Sequence, residues 1–167
     1  MAAGSTYTPI ATYTATGLIT DYTFSSIPGT YTDLAIVCSI TNSSAQTMYM
    51  RVNGDTGSNY SYTVLNGSGS SASSYRSVST TAGFQLGLGL VGMSSTDPAQ
   101  FNINVLNYAN TTTYKTCLSR SGLASGEVEI SASLWKSTSA ITSLTIRPSG
   151  GSMQSGSTFT LYGILAA

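Results

Sequence analysis

Apolar and polar residues alternate with a period of two along nearly the whole chain, the pattern of half-buried β-strands. In TDLAIVCSI, Leu34, Ile36, Cys38 and Ile40 share one face. Ala35 and Val37 make the other face apolar too, as expected of a central strand covered on both sides. TMYMRVN sends Met48, Met50 and Val52 one way and Tyr49 and Arg51 the other, and FNINVLNY does the same with Phe101, Ile103 and Val105. Near the N-terminus Tyr7, Pro9, Ala11 and Tyr13 fall on one face, opposite Thr8, Ile10 and Thr12. Leu18, Tyr22 and Phe24 share the next. In EVEISASLW the side formed by Val128, Ile130, Ala132 and Leu134 is the expected inner face, with Glu127 and Glu129 on a solvated outer one. Further runs are YSYTVL, FQLGLGLVGM, TTTYKTCLS, ITSLTIRP and STFTLYGIL. Ile141 is out of phase with Leu144 and Ile146, which predicts a bulge near Thr142-Ser143.

No window repeats apolar residues at helical spacing, and at most a helical turn fits around residues 94–99. Turn signals such as Asn53-Gly54-Asp55 and Gly150-Gly151 recur at roughly the 8–12-residue spacing of sandwiches and barrels. The expected fold is therefore all-β: an antiparallel two-sheet β-sandwich, jelly-roll-like, of about ten strands. Residues 1–15 are read as an N-terminal strand or arm, and 16–167 as one domain. Within it, the Ser- and Gly-rich stretch 66–83 is read as an exposed loop or flexible arm.

Composition narrows the function classes. The 167 residues include no histidine, 7% charged residues, and six cations against six anions. Without histidine, Ser-His-Asp and Cys-His chemistry is excluded. Scattered Lys115, Lys136, Arg51, Arg76, Arg120 and Arg147 do not form the basic patch that nucleic acid requires. A net charge of zero gives no self-repulsion and suits a protein that works assembled. No run approaches the ~20 apolar residues that cross a bilayer, and MAAGSTYTPIATYT lacks the features of a signal peptide. Cys38 and Cys117 lie in apolar runs and read as buried thiols, with a disulfide left open. With no His and no CxxC pair, zinc is not expected. No cofactor is implied.

Three local patterns suggest chemistry. Glu127 and Glu129 are the one close carboxylate pair, the minimum for a glycosidase dyad. The bland reading is a solvated face that discourages edge pairing. Asp55 in NGDTGSN offers calcium a single carboxylate, too few for a typical site, so a turn is the better reading. GLGLGLVG lacks the following helix and Lys-Ser/Thr pair of a phosphate loop. Gly87 and Gly89 leave one strand face bare, for a bend in the sheet or for a subunit contact. The numerous tyrosines suit interfaces, or carbohydrate when set among Asn, Ser and Gly.

YTPIATYT, YTFSSIPGTYTDLAIV, MYMRVNGDTGSNYSY, LWKSTSAITSLTIRPSGG and FTLYGI together span most of the chain. In these blocks the sequence resembles small jelly-roll virion structural proteins of tailed bacteriophages. The resemblance implies a non-enzymatic protein on the virion surface, made in the host cytoplasm. Its expected role is a capsid decoration or cement protein, homotrimeric and docked on the major capsid protein. The alternative is a tail-associated module that binds host surface glycan. The contact candidates are residues 1–15 and 66–83, with Tyr7, Pro9, Tyr13, Tyr75, Arg76, Gly87 and Gly89 singled out.

Overall fold

The alternating runs do fold as strands, and their long-range pairing is nested. A computed structural model describes residues 6–88, 93, 95–124 and 126–165. It contains β1 (Tyr7–Thr14), β2 (Tyr22–Phe24), β3 (Asp33–Ile40), β4 (Met48–Val52), β5 (Tyr60–Gly67) and β6 (Ala72–Thr80). The second half adds β7 (Phe84–Gly87), β8 (Ala99–Leu106), β9 (Lys115–Gly122), β10 (Val128–Trp135), β11 (Leu144–Pro148) and β12 (Thr158–Ile164). No helix occurs among the described residues; of the turn expected near 94–99, residue 94 lies outside them and 95–99 are not helical.

β1 pairs with β12, β2 with β11, β3 with β8, and β4 with β7, all antiparallel. The first half of the chain thus lies along the second as one ribbon. Rolling that ribbon brings β12 beside β3 and β11 beside β4. This is a jelly-roll-like winding of two sheets. Four more strands prolong one sheet only, giving the orders β1-β12-β3-β8-β9-β10-β5-β6 and β2-β11-β4-β7.

The core lies where the two sheets face each other. Leu34, Ile36, Cys38 and Ile40 meet Met48, Met50, Val52, Phe101, Ile103, Val105, Leu144, Ile146, Phe159 and Leu161, all buried. Each such side chain contributes about 1.5–3 kcal/mol by leaving water. Cys38 and Cys117 are buried free thiols, and burial pushes both well above the usual thiol range.

Several expectations are corrected. The register of β1 slips between Pro9 and Ala11. Tyr7 and Pro9 are therefore exposed, while Ala11 and Tyr13 pack toward the core with Ile10. Pro9, which has no N–H, and the bulge together blunt this sheet edge. Leu18 is exposed rather than sharing a face with Phe24, and Val37 is exposed on an otherwise central strand. Residues 66–83 are only in part the exposed loop expected: Asn66 and Gly83 at its ends are buried, and half of the segment forms the edge strand β6. Its inward positions hold Ser73, Tyr75 and Ser77 and no aliphatic side chain, so it has no apolar face to announce it and its serines read as low complexity. The phase change after Ile141 lies ahead of β11 and not within it. There the Asn53 side-chain oxygen accepts the backbone N–H groups of Thr142 at 2.9 Å and Ser143 at 3.1 Å.

Of residues 1–15, residues 1–5 lie outside the described residues, and 7–14 are a paired strand of the domain and not a detachable arm. The Tyr13 ring stacks on Tyr22 with centroids 4.3 Å apart. Deleting 1–15 removes that stack and the packing of Ile10 and bares the edge of β12. The expected loss is about 3 kcal/mol or more, read as a lower midpoint in urea. An unchanged midpoint would show that β1 is dispensable.

Candidate functional site

The four added strands curl around the open edge of the small sheet. β7 ends that sheet, so one row of its backbone groups lacks a strand partner. Buried carbonyls without partners cost about 1–3 kcal/mol each. Serines of the large sheet meet this need: Ser119 Oγ donates to the Leu86 carbonyl at 2.6 Å, and Ser133 Oγ to the Gln85 carbonyl at 3.4 Å. Gly87 lets the two backbones come this close. It has φ +146° and lies against Ser121.

This need inverts the polarity of β10 and, in part, of β9, whereas β5 keeps Tyr60 and Val64 buried on its inner face. On β10 the inner face carries Glu129, Ser131 and Ser133, all buried, and the outer face carries Val128, Ile130 and Ala132, all exposed. The period-two reading of this strand is right in phase and wrong in direction. Glu127 and Glu129 are accordingly 3% and 2% exposed and do not form the solvated face expected of them. Asn66 donates to Glu127 at 3.2 Å, Ser73 donates to Asn66 at 2.6 Å, and Gln85 donates to Glu129 at 3.4 Å and to the Tyr75 hydroxyl. Burial, with Glu129 nearby, pushes the Tyr75 hydroxyl well above the usual tyrosine range. Burial also pushes Tyr49 up to about 12, reinforced by Tyr62. Lys115 is buried as well. Its ammonium donates to the carbonyls of Thr113 at 2.7 Å and Thr138 at 3.2 Å, and desolvation lowers its pKa.

Asp55 is held in the turn between β4 and β5. Positive φ at Asn53 and Gly54 closes that turn, and the Asp55 N–H donates to the Val52 carbonyl at 2.8 Å. The carboxylate accepts Gly57 N–H at 2.7 Å, Asn59 Nδ2 at 2.8 Å and Trp135 Nε1 at 2.6 Å. These donors bear out the turn reading. Among the described residues no three His, Cys, Asp or Glu side chains gather as metal ligands.

The outer face of the added strands is the unusual surface. Register places Asn102, Arg120, Ile130, Leu65 and Ser74 in one row across β8, β9, β10, β5 and β6. Asn104, Leu118, Ala132, Thr63 and Arg76 form the next row, and Val128 lies in a third. Leu65 is 60% exposed, Val128 66%, Ile130 54% and Leu118 44%. Soluble monomers rarely expose a contiguous apolar patch larger than a few hundred Å².

The contact candidates read from sequence do not converge. Tyr7 and Pro9 lie at the β1 edge and Arg76 on the opposite edge strand, β6. Tyr13 packs toward the core, and Tyr75 points inward, away from Arg76. Gly87 is buried between the sheets, so its bare face serves an internal contact and not a subunit contact. Gly89 lies outside the described residues. Leu65, Leu118, Val128 and Ile130 were missed because alternation does not say which face is inside. The available signal was the serine run on the opposite faces of β9 and β10.

No protein-family model matches the chain, and no curated protein matches it. Among solved structures the chain is similar to an alginate lyase, Aly36B, with a TM-score of 0.37 and 11% identity, covering 93% of this chain and 81% of that one. A likeness this loose has no bearing on the reading that follows.

Proposed function

We propose that the protein is a non-catalytic docking module: a virion structural protein of the capsid decoration type, which binds and stabilises the major capsid shell. The observation that carries this reading is the inverted polarity of β10, with Leu65 and Leu118 exposed beside it on β5 and β9. The groups able to do chemistry, Glu127, Glu129 and Tyr75, are engaged around the edge of β7, and the apolar side chains are turned outward. Such a module works by burying area, with no bond made or broken. The sequence blocks that resemble phage virion proteins point to the same role.

The test is co-sedimentation of the purified chain with undecorated phage heads. Saturable binding at a fixed ratio to the shell subunit is the expected result. A folded chain that stays in the supernatant would contradict the reading.

A second reading is a tail-associated module that recognises host surface glycan. It draws on the outer face of the small sheet, where Arg147 pairs with Tyr49 across β11 and β4, and Arg51 lies two residues further along β4. Guanidinium groups beside an aromatic ring suit an anionic sugar. Binding to a glycan array, with no binding to heads, would favour this alternative.

A further inference from the structure

We infer that the outer face of the large sheet carries a sugar-binding cleft between β1 and β9, and that its ligand is a monosaccharide unit bearing a carboxylate. The inference does not rest on the docking reading, whose exposed Leu65 and Val128 lie beyond the cleft, on β5 and β10.

The cleft encloses about 400 Å³, within the ~300–1,000 Å³ of small-ligand sites. A β-bulge builds its aromatic wall. Counted back in steps of two from the inward Tyr13, Tyr7 would also face inward. The slip between Pro9 and Ala11 turns it outward instead, where it meets Tyr162 of β12 edge-on with ring centroids 6.2 Å apart. The floor is Ala35 and Val37 of β3, which gives a place to the exposed Val37 of a central strand. Across the floor, β8 presents Asn102 and Asn104, and β9 presents Arg120. Register sets Tyr162, Ala35 and Asn104 in one row and Val37, Asn102 and Arg120 in the next. The strand of Tyr162 and the strand of the asparagines are two spacings apart, about 10 Å. A sugar ring lying on the floor spans that gap.

Three features select the ligand. The first is the apolar lining: tyrosine rings beside aliphatic side chains cover the C–H faces of a pyranose. The second is the pair of amides. Asparagine is depleted from strands, yet two stand here at successive outward positions of β8, and neither amide has a hydrogen-bond partner among the described residues. An amide both donates and accepts, which matches a hydroxyl that does the same. The third is charge. The Arg120 guanidinium also lacks a partner among the described residues, and no carboxylate lines the cleft. A planar guanidinium with a free fork suits one carboxylate held in bidentate fashion. A sugar ring carrying a carboxylate meets all three features, with its hydroxyls on the amides and its acid group on Arg120.

The test is a ligand-observed NMR titration of the full chain with D-glucuronate and with D-glucose, which differ only at C6. Wild type is expected to bind glucuronate saturably in the millimolar range and glucose about 10-fold more weakly, the effect of one charge-assisted contact. Arg120→Gln is expected to abolish that preference and leave glucose binding unchanged. Asn102→Ala and Tyr7→Ala are expected to weaken both sugars about 5-fold or more. All three side chains are exposed, and an unchanged urea midpoint confirms that each variant folds. Absence of saturable binding, equal affinity for the two sugars, or indifference to Arg120→Gln would each overturn the inference. So would loss of binding in Arg147→Gln with Arg120→Gln unaffected, which moves the sugar to the small sheet. Sugar binding by a chain that ignores phage heads supports the cleft and removes the docking reading. Head binding without sugar binding removes the cleft alone.

Discussion

Gly87→Ala is expected to destabilise the protein by about 3–5 kcal/mol, enough to unfold much of a domain of ordinary stability. Two costs add. Gly87 has φ +146°, a conformation that residues with a Cβ rarely adopt. An added Cβ would also lie 2.6 Å from Ser121 Cβ and would overlap its Oγ. Relief would require β7 to move away from the large sheet, which would break the hydrogen bonds that Ser119 and Ser133 donate to its carbonyls. Gly54→Ala provides the comparison. Its φ is +68° but nothing lies within 4 Å of the added atom, so backbone strain of about 1 kcal/mol is the expected cost. Urea unfolding of both variants checks the difference. Equal midpoints would mean that the close approach at Gly87 does not hold the sheets together.

Asp55→Ala is expected to cost about 2–4 kcal/mol, because three donors lose a charged acceptor at once. The indole N–H of Trp135 is the most buried of them, at the end of β10 beside Tyr60 of β5. The Tyr60 hydroxyl also donates to the Asp55 carbonyl, at 3.2 Å, so the turn joins β5 and β10 to the small sheet. Burial alone would raise the Asp55 pKa, but the hydrogen bonds from Trp135, Asn59 and Gly57 outweigh it and hold the carboxyl below the ordinary value. A depressed carboxylate stabilises the fold above its unfolded pKa of about 3.9 and loses that contribution as pH falls through the folded value. Wild-type stability should therefore fall below about pH 4 more steeply than that of Asp55→Asn. Parallel curves for the two would remove Asp55 from the account.

Which parts of the fold could be read in advance follows from what alternation encodes. Leu34–Ile40 and Met48–Val52 alternate cleanly, and both their strand character and their buried faces are as expected. β10 alternates just as cleanly, yet its inner face is the polar one, because the edge carbonyls of β7 demand hydroxyl donors at that place. That demand arises only once β7 and β10 are in contact, with Gln85 and Ser133 48 residues apart in sequence. β6 was hidden for another reason: its inward side chains are Ser73, Tyr75 and Ser77, so it carries no apolar period. Gly87 was recognisable as a bare position in its strand, but its neighbour, Ser121, becomes known only from the winding. The nested pairing of β1 with β12 and β2 with β11 is equally invisible in any local window.

The apolar outer face, the sealed carboxylates and the neutral charge are the features on which the proposed docking role rests. Chemistry at Glu127 or Glu129 would first require the seal around β7 to open, and the contacts of Asn66 and Gln85 oppose that.

The most direct measurement is an image of the virion in which this chain is located and counted against the shell subunit. The account predicts density on the outer surface of the head, in a fixed whole-number ratio to that subunit. Density confined to the tail, or a particle without the chain, would contradict it.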